Sequence, residues 1–223
     1  MQVGVLYLAW LQDDNIAVMK RLVKSIYSLR KFCDLPITVR VNTEGLEWLK
    51  KIPFENVHLE EIPLINTKKL KFKTKLKTFT NLPYYITIFC DTDTVFYDSP
   101  EKIIDEKVDL SICRQQDWIG YRENQKPKVD KHINTGFFIA KNSKPFKNLI
   151  KKAWEKSEEH ENDKASEECY GDGRFINLVL DYSFDLTIKI LPQQWNVNEV
   201  IINEIEDIKL IHTKNIDLNP ITT

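Results

Sequence analysis

Two aspartates stand two residues apart, Asp91 and Asp93, directly after the most apolar run of the chain, Tyr84-Tyr85-Ile86-Thr87-Ile88-Phe89-Cys90. Residues i and i+2 of an extended segment face the same side, so both carboxylates address one point in space. Converging carboxylates repel, and burying their charge is costly. A divalent cation resolves that conflict, held by one carboxylate directly and by the other through water. A solvated strand-to-turn corner also favours Asp and Thr, and Asp91-Thr92-Asp93 alone leaves both readings open. In an open α/β sheet, ligands bind beyond the carboxyl ends of the strands, and that is where this pair falls.

The elements that must position the pair follow from periodicity. Residues 3–9 form a buried strand, and Asp13, Asp14 and Asn15 offer N-cap chemistry for a helix with Ile16, Met19, Leu22, Val23, Ile26 and Leu29 at helical spacing. Ile37 to Val41 reads as a strand, Glu44 to Lys50 as a short helix, Val57 to Ile62 as a short strand and Lys68 to Thr80 as a lysine-rich helix. Further strands are expected at Asp109–Cys113, Ile133–Ala140, Thr187–Leu191 and Ile208–Ile211. An amphipathic helix follows Pro145, with Phe146, Leu149, Ile150, Ala153 and Trp154 on one face; its end carries Glu155, Glu158, Glu159 and Glu161, against the helix dipole. Another helix runs through Phe175 to Tyr182. Alternating strands and helices predict a single α/β domain whose mostly parallel sheet is flanked by helices.

Composition narrows the function. With 32 Lys+Arg against 33 Asp+Glu, the net charge is -1, which excludes the basic excess of a dedicated nucleic-acid binder. A chain of 223 residues with 42% hydrophobic residues buries enough apolar surface for one sizeable core. No segment reaches the ~20 apolar residues of a membrane span. The opening run Val3 to Leu11 lacks a basic leader and a small-residue cleavage site, so it reads as a strand. The four cysteines, Cys33, Cys90, Cys113 and Cys169, form no CxxC pair; most lie in apolar contexts, the expectation for reduced core thiols of a cytoplasmic protein. The lysines of residues 68–77 spread around their helix, which predicts a solvated face with one lysine turned toward phosphate. The same run would hold the protein peripherally on an anionic membrane were its acceptor lipid-linked.

Two resemblances bear on the aspartate pair. Asp91-Thr92-Asp93-Thr94 resembles the DxDxT of haloacid-dehalogenase-like phosphatases, which implies Asp91 as a phosphorylated nucleophile. That motif usually closes a first strand, and Gly171-Asp172 lacks the second acidic residue of the family's downstream pair. Over residues 3–214 the chain resembles instead the GT-A glycosyltransferases, in particular the group of glycogenin and the bacterial lipopolysaccharide galactosyltransferases. The matching segments, in order, are Val5 to Ala9, Lys75-Leu76 with Phe79 and Leu82-Pro83-Tyr84, Asp91-Thr92-Asp93, and His132-Ile133-Asn134-Thr135-Gly136-Phe137-Phe138-Ile139. Gly171-Asp172-Gly173-Arg174-Phe175-Ile176-Asn177, Leu191-Pro192-Gln193-Gln194-Trp195-Asn196 and Lys209-Leu210-Ile211-His212 complete them. Gly173 replaces the usual Gln, and Thr213-Lys214-Asn215-Ile216 replaces the expected Gly and Lys-Pro-Trp.

The second resemblance implies a Rossmann-like GT-A sheet over residues 1–223, with a nucleotide-sugar half at about 1–115 and an acceptor half at about 116–223. It implies transfer of a hexose from a UDP-sugar to a saccharide or glycoconjugate, with retention. Asp91, Asp93 and His212 would hold Mn²⁺ or Mg²⁺; imidazole favours the former. Tyr7, Ala9, Lys75, Asp91 and Lys214 would line the nucleotide, with Tyr7 stacking on the base and a lysine neutralising phosphate. Asn134 and Asp172 would bond sugar hydroxyls, and Asp172, Asp130 and Asp117 are the candidate bases for an inverting reaction. The segment Gln115 to Lys131, with Trp118 and Tyr121, is the expected acceptor loop. A nucleotide-sugar-binding module without catalysis is the reading from outside the enzymes.

Overall fold

The computed structural model describes residues 2–11, 16–63, 71–116, 129–159, 171–180, 185–198 and 205–213, with the backbone alone at 71–72, 116, 129–132 and 171–174. In chain order the elements are β1 (Val3–Ala9), α1 (Ala17–Arg30), β2 (Ile37–Val41), α2 (Thr43–Leu49), β3 (Val57–Glu61), α3 (Lys71–Phe79), β4 (Ile86–Cys90) and β5 (Thr94–Phe96). They continue as β6 (Leu110–Gln116), β7 (Val129–Lys141), α4 (Lys144–Glu159), α5 (Gly171–Leu180), β8 (Ile188–Ile190), β9 (Val197–Asn198) and β10 (Leu210–His212).

Seven strands form the main sheet in the order β3-β2-β1-β4-β7-β6-β8. The pairs β1–β2, β1–β4, β2–β3 and β6–β8 are parallel, and β7 runs antiparallel to both β4 and β6. Strand order reverses at β1, since β2 lies on one side of it and β4 on the other. The register Tyr7↔Cys90 brings the carboxyl ends of β1 and β4 together there, which is where a doubly wound sheet opens a crevice. β1 and β4 read as near-continuous apolar runs because both sheet faces are covered, and β2 is buried throughout although Thr38 and Arg40 alternate with its apolar residues.

On one face, Val5, Tyr7, Ala9, Ile86, Ile88 and Cys90 pack with Met19, Leu22, Ile26 and Leu29 of α1 and with Leu46 and Leu49 of α2. On the other, Leu6, Leu8, Phe89 and Phe138 pack with α3, α4 and α5. Phe79, Phe89 and Phe138 meet with centroids 4.8 to 5.1 Å apart, so α3 is pinned directly over β4. α1 ends where the guanidinium of Arg30 donates to the carbonyls of Leu35 at 2.7 Å and Asn56 at 3.0 Å, fixing the turn into β2.

A second sheet, β5-β10-β9, joins the strand expected at Ile208–Ile211, found here as β10, to two strands that were not expected. β10 runs antiparallel to β5 with His212 opposite Thr94, and parallel to β9 with His212 opposite Asn198. β5 and β9 carry too few residues to show a period.

Two expectations are corrected. The lysine-rich helix is not a solvated face throughout: Lys73 and Lys75 are buried and only Lys77 of the described lysine side chains on α3 is exposed. The Lys73 ammonium stands 3.5 Å from Glu158 and over the Trp154 ring of α4, so part of the basic run is used internally. The residue before α1 is Ile16, which supplies no side-chain cap; Asp13, Asp14 and Asn15 lie outside the described residues. The glutamates at the end of α4 remain solvent-exposed and pair with lysines of the same helix, Lys156–Glu159 at 2.6 Å and Lys151–Glu155 at 3.8 Å. Cys33, Cys90 and Cys113 are buried free thiols, and Cys169 lies outside the described residues. Among the described residues no helix is long and apolar enough to cross a membrane.

Candidate active site

β4 ends at Cys90 and delivers Asp91 into the crevice beside β1. Three backbone contacts fix the turn that follows. The Asp91 N–H donates to the Gly136 carbonyl at 2.7 Å, the Thr94 hydroxyl donates to the Asp91 carbonyl at 2.9 Å, and the Thr213 N–H donates to the Asp93 carbonyl at 2.8 Å. The turn is therefore held from β7, from β5 and from the end of β10.

A buried line of hydroxyls supports it from below. Tyr7 Oη lies 2.9 Å from Ser25 Oγ, which lies 2.7 Å from Thr94 Oγ1. Thr94 has one hydroxyl proton and gives it to the Asp91 carbonyl, so Ser25 donates to Thr94 and Tyr7 to Ser25. Burial pushes the Tyr7 phenol well above its usual value, which keeps that proton in place. Tyr7 is fully buried, and its expected role as a platform for the base is corrected: the ring belongs to the core and the hydroxyl to this line. Ala9 is also buried in the same cluster, at the end of β1.

Above the turn, Asp91, Asp93 and His212 place one ligand atom each within 4.8 Å of one another. His212 Nδ1 lies 3.5 Å from Asp93 Oδ1, while His212 Nε2 is buried with no hydrogen-bond partner among the described residues. Burial alone would raise the Asp93 carboxyl; the bond and charge of His212, its own backbone N–H and the charge of Arg21 outweigh that and hold it below the usual carboxylate range. Lys75 of α3 reaches across with its ammonium 2.9 Å from Asp91 Oδ1 and its stem over Phe89, the nitrogen 4.9 Å from the ring centroid. Lys75, expected to face phosphate, meets the Asp91 carboxylate here.

Gly136 of β7 lies at the centre. A Cβ there would stand 2.5 Å from His212 Cε1 and 3.0 Å from both Asn134 Oδ1 and Asp91 Oδ2. Asn134 is thus brought to the group, with Oδ1 accepting the Gly136 N–H at 2.8 Å. Its neighbour Ile133 is held by Asn177 of α5, whose amide accepts the Ile133 N–H at 2.8 Å and donates to the Ile133 carbonyl at 3.2 Å. Trp195 stacks on Phe137 at 6.0 Å, supporting the same strand from the other face. Asp172 is the second residue of α5 and Asp130 the second of β7, their backbones alone being described. Lys214, Asp117, Trp118 and Tyr121 lie outside the described residues.

The donor set suits a divalent cation: two carboxylates and an imidazole converge, one buried imidazole nitrogen lacks a partner among the described residues, and the glycine leaves space among them. Sequence reasoning overlooked Gly136, Ser25 and Thr94 as supports. Two serines, Ser25 and Ser28, on the buried side of α1 were the available signal, because a buried hydroxyl needs a partner.

Residues 67–214, more than half of the chain, match the nucleotide-diphospho-sugar transferase family. The chain belongs to that family and is a glycosyltransferase of GT-A fold. In fold it is similar to mouse xyloside xylosyltransferase 1 in its apo crystal form, with 13% identity over 96% of this chain and 98% of that one, at a TM-score of 0.65. It is also similar to the glycosyltransferase GlyE of Streptococcus pneumoniae TIGR4, with 15% identity over 95% of this chain. The TM-scores are 0.65 for the apo structure and 0.66 for a second one, covering 54% and 55% of those chains. This chain therefore spans about half the length of GlyE. No curated protein matches it in sequence. A nucleotide-diphosphate sugar is the donor such a family uses, and the reading of Asp91 as a phosphatase nucleophile is set aside by that membership.

Proposed function

We propose that the protein transfers a hexose from a UDP-sugar to a saccharide or glycoconjugate, with retention, and that it does so with a divalent cation, Mn²⁺ before Mg²⁺, held by Asp91, Asp93 and His212. The observation that carries this reading is the convergence of those three side chains, with Nε2 of His212 buried and without a partner among the described residues. When bound, the cation supplies Lewis-acid stabilisation of the departing diphosphate. The chain's own residues do the rest. Lys75 holds the Asp91 carboxylate and brings a positive charge to the edge of the diphosphate site. The hydroxyl line and Gly136 keep the turn in register. Asn134 and Asp172 are assigned to sugar hydroxyls, Ala9 to the wall of the nucleotide pocket and Lys214 to phosphate. Residues 1–115 form the donor half and 116–223 the acceptor half. Three buried free thiols favour a reducing, cytoplasmic setting.

Thermal unfolding with UDP, GDP and their sugars, each with Mn²⁺ and with EDTA, tests the reading. A ligand at a hundred times its Kd adds about 2.7 kcal/mol, a rise of several degrees for a chain of this size. Stabilisation by UDP that EDTA abolishes, and that Asp91→Asn abolishes too, is the expected result. Stabilisation by UDP that survives EDTA would refute the metal assignment. NMR of the first-formed product anomer reports retention or inversion.

A further inference from the structure

Two of the buried polar atoms without a partner among the described residues bear on one carboxylate. One is Nε2 of His212, the residue whose Nδ1 faces Asp93; the other is Nε of Arg21. Arg21 lies on α1, and Ser28, Ser25 and Arg21 recur there at helical spacing, on the face that packs against β5. Ser28 Oγ accepts the Phe96 N–H at 3.0 Å, and Ser25 meets Thr94 at 2.7 Å. One further turn along the same face, toward the helix N-terminus, continues that row from Thr94 toward the Asp91–Asp93 turn, and Arg21 stands there.

The charges close on this arrangement. Asp91 and Asp93 are balanced by Lys75 and Arg21, so a dication and the two negative charges of a diphosphate enter together without leaving an excess. Lys75 approaches from α3 on one face of the sheet, and Arg21 from α1 on the other. A guanidinium offers planar N–H donors that match a phosphate, and a buried N–H without an acceptor is unfavourable until one arrives.

We propose that Arg21 is a donor-binding residue, its guanidinium engaging a phosphate oxygen of the nucleotide diphosphate on the Asp93 side of the site while Lys75 stands on the Asp91 side. This rests on the metal and diphosphate reading given above. The test measures inorganic pyrophosphate and UDP binding in the presence of Mn²⁺, together with Mn²⁺ binding alone, for the wild type and Arg21→Gln. The expected result is a loss of about tenfold to a hundredfold in pyrophosphate and UDP affinity, with Mn²⁺ affinity equal to or above that of the wild type because a nearby positive charge is gone, and a difference that shrinks as salt rises. Should Arg21→Gln fail to fold, Arg21→Lys keeps the charge and loses the fork, and several-fold weaker pyrophosphate binding is expected of it. Wild-type affinity for pyrophosphate in either folded variant overturns the assignment, as does a loss confined to Mn²⁺. A wild-type protein that binds neither probe with Mn²⁺ overturns the underlying reading and this assignment with it.

Discussion

The ammonium of Lys75 lies 2.9 Å from Asp91 Oδ1, on a side chain that is only 9% exposed. A buried lysine thus neutralises half of the carboxylate pair and takes one of the oxygens a cation would use. Replacing Lys75 with Met removes a competing charge, so the Mn²⁺ affinity of Lys75→Met should rise several-fold while UDP affinity in the presence of Mn²⁺ falls. Titration of Mn²⁺ by electron paramagnetic resonance reads the first change and calorimetry the second. A fall in both affinities would mean that Lys75 orients Asp91 rather than competing for it.

Gly136→Ala should separate folding from ligand binding. The added methyl would press on His212, Asn134 and Asp91 together, and strain of this kind costs about 1–3 kcal/mol. The three side chains it meets belong to the site, so the molecule relaxes by moving them. A fall of a few degrees in Tm is expected, with loss of EDTA-sensitive nucleotide stabilisation. Wild-type metal affinity in this variant would show that the cradle is wider than the geometry indicates.

Ser25→Ala interrupts the line from Tyr7 to the Asp91 carbonyl. It strands the buried Tyr7 hydroxyl and takes one donor from Thr94, for a loss of about 1–3 kcal/mol or several degrees in Tm. Ser25→Thr keeps the hydroxyl and should recover part of the loss. Equal Tm values for Ser25→Ala and the wild type would show that the line does not contribute to stability.

Asp109 joins the starts of β6 and β8, with Oδ2 accepting the Thr187 N–H at 3.0 Å and the Thr187 hydroxyl at 2.7 Å. Burial opposes its ionisation, but bonds from Ser143 and Thr187 and the charge of Lys141 outweigh that and hold the carboxyl below its usual value. A carboxyl depressed on folding stabilises the protein above its unfolded pKa, and the contribution disappears as pH falls through the folded value. Asp109→Asn should therefore lower stability by about 1–2 kcal/mol at pH 7, and the gap should close below about pH 4. Chemical denaturation at stepped pH values measures it. A gap that persists unchanged at low pH would assign the loss to packing rather than charge.

The carboxylate pair was legible because β4 is apolar throughout and the two-residue spacing survives the turn. α1 was legible because Met19, Leu22, Ile26 and Leu29 keep one helical face apolar. The fate of the lysines was not. Lys73 and Lys77 share one side of α3 and Lys75 lies opposite, yet Lys73 and Lys75 are buried and Lys77 exposed; which of them is buried depends on where α4 and β4 press against the helix, a tertiary fact. Of the small sheet only β10 was legible, within the strand expected at Ile208–Ile211; β9 has two residues and β5 three, so neither shows alternation. Tyr7 could be read as surface or core until the position of Ser25 beside it was known. His212 was found as a ligand through the resemblance; the strand it ends gave no sign of that role.

The imidazole that completes the carboxylate pair enters the chain more than a hundred residues after Asp93. During synthesis, both aspartates and Lys75 emerge long before β10 exists to pair with β5, so the early chain pairs carboxylate with lysine and offers an ion no third ligand. Closing that long loop is entropically unfavourable and is met only when β10 docks. Metal capture should then be among the last events of folding, lagging behind the main sheet in a stopped-flow refolding experiment with Mn²⁺ present.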